Sequence, residues 1–226
     1  MNNILQHNLD LASLLPFWQK LTSNEQILIQ QEAMYKTFPS QTTIYDMHNE
    51  CLGLVFVLSG ELRVYLNSDS GKEITLYRLA PNELCVLSAN CILKNINFEV
   101  YIDTETASEL LVIPANTIGK IMSNNIFLEN FTYKLLAERF SDVMWAMQQI
   151  LFMSFDKRLA IFLLDEINKQ HTNCINLTHE QIAKYIGSAR EVVTRMLKYF
   201  SQENIVKLSR GEILVINKEK LKQLTT

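Results

Sequence analysis

One glycine with a helix-start signal on either side constrains this chain more than any other feature. Ahead of Gly187, Thr178-His179-Glu180-Gln181 has the form of a capping box, in which the threonine hydroxyl accepts from the N3 amide while Gln181 reaches back. Ile182, Ala183, Tyr185 and Ile186 follow as a short apolar stripe that Gly187 closes. Ser188-Ala189-Arg190-Glu191 then reads as a second box, with Val192, Val193, Met196, Leu197 and Phe200 as the buried side of a second helix. Two short helices about a glycine-centred turn make a helix-turn-helix. Ile205-Val206-Lys207-Leu208 and Glu212-Ile213-Leu214-Val215-Ile216, joined through Ser209-Arg210-Gly211, read as a β-hairpin beside it. The expected C-terminal unit is a winged helix-turn-helix.

Charge gives that unit a partner. Residues 177–226 hold nine Lys or Arg against five Glu, a net +4, whereas the preceding 176 residues sum to −7. A basic end on an acidic body suits a polyanion. In a helix-turn-helix the N-terminal part of the second helix enters the DNA major groove. Arg190, Glu191, Thr194 and Arg195 are therefore the expected base readers. Arginine can bond both guanine acceptors, and glutamate can accept from the cytosine amino group. Ser188, Lys198 and Arg210 are expected on phosphates, where they set position without reading sequence. The competing reading is a solvated face on which Arg190, Glu191 and Arg195 pair only with one another.

The rest of the chain is α+β. Residues 9–33 suggest short helical pieces, with Leu11, Leu14, Leu15 and Trp18 at helical spacing and a Ser23-x-x-Gln26 capping pattern. TTIYDM, GLVFVLSG, ELRVYLNS, KEITLYRL, FEVYIDT and ELLVIP are short runs rich in β-branched and aromatic residues, separated by turn signals. They predict an antiparallel β-sandwich of jelly-roll, cupin-like form over residues 1–125. After Pro114 the period becomes helical. Tyr133, Leu136, Phe140, Val143, Met147 and Ile150 step by three and four, a seam of about two and a half heptads that predicts dimerisation through a helix over 126–153. The winged-helix domain is expected over 154–226, opening on a helix that Ser154 and Asp156 can serve.

With these parts in place, the chain resembles the Crp–Fnr family of transcription factors, that of the cyclic-AMP receptor protein and the fumarate–nitrate reduction regulator. The resemblance rests on GLVFVLSGELRVYLNSDSGKEITLYRLAPNE (53–83) and LTHEQIAKYIGSAREVVTRMLKYFSQENIVKLSRGEI (177–213). These keep the family's sandwich glycines as Gly60 and Gly71 and its Arg-Glu-x-x-x-Arg recognition helix as Arg190, Glu191 and Arg195. It implies a homodimer on a pseudo-palindromic operator, with half-sites like TGTGA, and RNA polymerase as a partner if the protein activates. The cyclic-nucleotide members use a Gly-Glu pair followed by an arginine on the cyclic phosphate. Here NELCVLSANCILKNINFEVYIDT (82–104) stands in that place, no arginine lies between Arg78 and Arg139, and Lys94 offers only a point charge. This argues against cyclic nucleotide. The oxygen-sensing members carry N-terminal cysteines for an iron–sulfur cluster, whereas no cysteine precedes Cys51.

The cysteines at 51, 85, 91 and 174 form no C-x-x-C pair, and a disulfide framework is not expected in a reducing compartment. Cys85 and Cys91 fall where the nucleotide members build their pocket, as a thiol switch or as lining of an apolar pocket. On a strand their sulfurs would stand about 20 Å apart, so a bridge needs a turn between them. Haem stays open as a cofactor, with His7, His48, Met47 and the cysteines as ligand candidates. No metal-type His cluster or activated-nucleophile motif supports an enzyme. A sandwich-based ligand-binding protein would leave the winged helix unexplained. Without a basic leader or a membrane-length apolar run, a cytoplasmic protein is expected.

Overall fold

The computed structural model describes residues 9–46, 51–69, 71–86 and 100–225. The chain forms two compact units, Met1–Asn67 with Leu76–Val143, and Ser68–Thr75 with Met144–Thr226.

The first unit opens with α1 (Leu11–Leu14), a 3-10 turn at Trp18–Lys20 and α2 (Ser23–Glu32). The capping box of α2 lies one residue ahead of the expected Ser23–Gln26 pair: Thr22 is the cap and Glu25 its N3 partner. Glu25 accepts from the Thr22 amide at 2.7 Å, and a charged acceptor holds an amide more strongly than a glutamine carbonyl does. Gln26 is engaged elsewhere, donating to the Trp18 carbonyl.

Among the described residues eight strands follow: β1 (Met34–Phe38), β2 (Thr43–Tyr45), β3 (Leu54–Ser59), β4 (Leu62–Asn67), β5 (Glu73–Leu79), β6 (Leu84–Cys85), β7 (Tyr101–Thr104) and β8 (Ser108–Ile113). They form two four-stranded sheets, ordered β1-β8-β3-β6 and β2-β7-β4-β5. β3 and β8 pair antiparallel with Phe56 opposite Leu111, and β4 and β7 with Val64 opposite Ile102. Strand alternation divides their side chains between two cores. Val55, Val57, Leu110 and Val112 meet Leu62, Val64 and Ile102 between the sheets. Leu54, Phe56, Leu111 and Ile113 pack under helices, against Leu15, Trp18, Ile29 and Ile118. Both faces of β3 are thus covered, which is why its sequence is an unbroken apolar run. At Gly60, φ is +87°, and any Cβ there would run into Ser108 and the Ala107 carbonyl. The expected sandwich is present; β1 and the two-residue β6 are additions to it.

Pro114 ends the strands and precedes α3 (Ala115–Met122) and the 27-residue α4 (Ile126–Phe152). Asn125 starts α4: its Oδ1 accepts from the Phe127 and Leu128 amides, while its Nδ2 donates to Lys20 O and Glu25. The expected heptad seam divides. Leu136 and Val143 turn onto the sandwich cores, and Ile150 is half-buried. Tyr133, Phe140 and Met147 remain exposed at 54%, 63% and 46%. The exposed seam is completed instead by Ile126, Met144 and Leu151. Two apolar edges on one helix are needed when one covers a sheet and the other does not.

The second unit contains α5 (Phe155–Gln170), β9 (Cys174–Ile175), α6 (His179–Tyr185), α7 (Arg190–Gln202), β10 (Val206–Ser209), β11 (Glu212–Val215) and α8 (Lys218–Thr225). The strands form one sheet, ordered β10-β11-β9. Leu159, Leu163, Ile167, Ile182, Val193, Leu197, Phe200, Ile213 and Leu221 make a single core beneath the helices and the hairpin. β9 and α8, which the sequence pattern did not announce, close that core.

Candidate nucleic-acid interface

The helix-turn-helix is built as expected on its first side. Thr178 caps α6, accepting from the Gln181 amide while Gln181 returns a bond to the Thr178 amide at 2.8 Å. The second box does not form. α7 begins at Arg190 with Ala189 as its cap, and no side chain closes it. Gly187 adopts φ +62°, and the Ser188 amide folds back onto the Ala183 carbonyl at 2.9 Å. Ser188 therefore completes the end of α6, a left-handed helix stop, and stands one residue too early to cap α7.

α7 buries Val193, Leu197 and Phe200 and turns the opposite face outward. A shallow depression on that face is lined by Arg190, Glu191, Thr194, Arg195, Lys198 and Tyr199, with Gln202 at its end. Arg190, Glu191, Arg195 and Lys198 are exposed. Among the described residues, Arg190, Glu191 and Arg195 form no ion pair with one another or with any other group. The solvated salt-bridge network is thus absent, and three cations project from one helix face. Arg210 lies exposed at the β10–β11 turn, and Ser188 half-buried in the turn before α7.

Thr194 differs from the other expected base readers. Its hydroxyl donates to the Arg190 carbonyl at 2.9 Å and lies 2.8 Å from His179 Nδ1. Its hydroxyl proton is therefore committed, which leaves its methyl and an acceptor lone pair for a base contact. His179 had no signal in the sequence, because its partner stands fifteen residues later, on the other helix. Burial first, and then Arg190 and Lys198, hold the His179 pKa below the usual histidine value.

Among the described cysteines, Cys51 departs from expectation. Cys85 is in no disulfide and is fully buried, because strand alternation turns it between the sheets opposite Val55. Cys51 is disulfide-bonded, which its spacing did not indicate, and Cys174 is free. Cys91 lies outside the described residues, as do the haem-ligand candidates His7, Met47 and His48. Cys85 is thus placed as lining of an apolar core, and its expected pairing with Cys91 falls outside the described residues. A polar cluster stands beside Cys85. Arg139 reaches Asp142 at 3.0 Å and Glu83 at 3.3 Å, and its guanidinium sits 5.1 Å from the Tyr77 ring centre. Burial works against the Arg139 charge, but the Asp142 bond and the Glu83 charge more than offset it and raise its pKa. Burial, with Cys85 adjacent, pushes the Tyr77 hydroxyl well above its usual range. No group of three or more potential metal ligands occurs among the described residues, and no helix there is long and apolar enough to cross a membrane.

A β-sandwich and a winged helix-turn-helix in one chain define a class: transcription regulators that pair a sensor-type domain with a DNA-binding head. Residues 35–125 match the cyclic nucleotide-binding domain family, and residues 157–224 the Crp-like helix-turn-helix domain. A crystal structure from Eubacterium rectale, assigned to the Crp/Fnr family of transcriptional regulators, superposes with a TM-score of 0.91 at 44% identity, covering 94% of this chain and 99% of that one. The chain belongs to the Crp/Fnr family. Transcriptional regulatory protein btr of Bordetella pertussis is 24% identical over 80% of this chain and 77% of its own length. The global nitrogen regulator of Nostoc is 25% identical over 80% and 84%. These relatives are regulators, and the protein is a Crp/Fnr-type transcription regulator, not an enzyme.

Proposed function

We propose that this regulator binds a pseudo-palindromic DNA operator as a homodimer and answers to a small-molecule or redox signal other than cyclic AMP. Arg190, Glu191, Thr194 and Arg195 read base edges; Lys198, Ser188 and Arg210 position the head on phosphates. The observation that carries this reading is the exposed outer face of α7, whose arginines have no ionic partner among the described residues. Residues 126–153 act as the dimerisation segment, supported by the exposed apolar seam of α4. The signal shifts the balance between two dimer arrangements, of which one spaces the recognition helices to fit the operator. The protein works in the cytoplasm, with RNA polymerase as a further partner where it activates.

The case against cyclic AMP rests on the missing arginine between Arg78 and Arg139. The redox alternative keeps Cys85 and Cys91 as its candidates and gains the Cys51 disulfide. The test of base reading is affinity for a duplex recovered by selection from random DNA. Arg190→Ala and Arg195→Ala should each weaken binding by about 1–3 kcal/mol and relax preference at one base position of each half-site. Lys198→Ala should weaken all sequences alike and reduce the salt slope by about one. Unchanged affinity in both arginine variants would end the base-reading assignment.

A further inference from the structure

His179 stands at the start of α6 with its ring against the recognition helix, and the hydrogen bonds around it fix its tautomer. Thr194 has one hydroxyl proton, which it gives to the Arg190 carbonyl. Toward His179 Nδ1, 2.8 Å away, the hydroxyl can only accept. Nδ1 therefore carries the ring proton, and Nε2 of the neutral ring is a bare acceptor on the edge turned away from Thr194. No described side chain bonds Nε2, and no carboxylate pairs with the ring. The charged groups that act on it are Arg190 and Lys198, both on α7 and both cations; on its own helix Glu180 is its neighbour in sequence.

We propose that His179 is a proton-dependent DNA-positioning residue, whose Nε2 takes up a proton and donates to a backbone phosphate when α7 enters the groove. This rests on the DNA-binding reading given above. In the free protein, burial and the two cations disfavour a charged ring. A docked duplex reverses that field: its phosphates neutralise Arg190 and Lys198 and add negative charge beside the ring. The ring's pKa is then higher in the complex than in the free protein, so binding takes up a proton. Affinity is lowest above the bound-state value, rises as pH falls through it, and levels off below the free-state value. Each unit of difference between the two is a tenfold change in Kd.

The experiment is fluorescence anisotropy with the full-length protein and a labelled duplex recovered by selection, from about pH 8 to about pH 5.5. Wild type should tighten about tenfold as pH falls. His179→Gln, whose amide can still donate to Thr194, should lose that added slope. His179→Arg should bind tightly at every pH, and above the transition its salt slope should be steeper than that of wild type by about one phosphate contact. Nitrogen-resolved NMR of the free protein should show the Nδ1-protonated tautomer. Equal pH slopes in wild type and His179→Gln, or an Nε2-protonated ring, would overturn the proposal while leaving DNA binding intact. No duplex bound by wild type at any pH would remove the DNA-binding reading and this one with it.

Discussion

At the scale of single residues, one turn sets the geometry of the DNA-binding face. Gly187 is buried in a left-handed conformation, where an added Cβ would lie 3.4 Å from Ile150 Cδ1. Gly187→Ala should therefore cost about 1–2 kcal/mol of backbone strain, read as a lower denaturation midpoint of the full-length protein. An unchanged midpoint would mean that the turn relaxes into another conformation. The outward placement of the α7 arginines was legible in the sequence because it depends only on helical spacing. His179 was not, because the Thr194 hydroxyl that orients it comes from another helix. Ser188 misled for a related reason: its hydroxyl has the chemistry of a cap, but its backbone is committed to ending α6.

At the scale of elements, α4 shows how far periodicity goes. The step of three and four correctly announced a helix with more apolar surface than one contact needs. It did not say which edge meets which partner, because that depends on how the helix lies on the sandwich. Leu136 and Val143 went to the sandwich, and the edge through Tyr133, Phe140, Met144, Met147 and Leu151 stayed exposed. On this account, Tyr133→Glu with Phe140→Glu should convert a dimer to a monomer in sedimentation equilibrium, whereas Leu136→Ala should mainly lower stability, by about 2–5 kcal/mol at full burial and less at its partial burial. A dimer that survives the double glutamate variant would place the interface elsewhere. β3 was legible because a run covered on both faces is apolar throughout. β1, with Lys36 and Thr37 in Met34–Phe38, lacks such a run and is held by its pairing with β8. β6 is two residues long, too short to leave a periodic signature.

For the whole molecule, the order of parts was readable from one sequence: sandwich, long helix, winged head. Each leaves a local pattern of hydrophobic period and turn residues, and the family models match the same two ends. The signal was not readable, because a pocket is made by residues far apart in the chain. The Arg139–Glu83–Asp142 cluster over Tyr77 joins a helix to a sheet, and neither segment alone announces it. The central claim is that two copies of α7 read DNA together. The most direct measurement is selection of bound duplexes from random DNA with the wild-type protein and with the Arg190→Ala, Arg195→Ala double variant. Wild type should enrich a two-fold symmetric site whose half-sites lie about one helical turn apart, or a multiple of it, and the double variant should enrich none. Enrichment of a single asymmetric site, or of the same site by both proteins, would contradict the account.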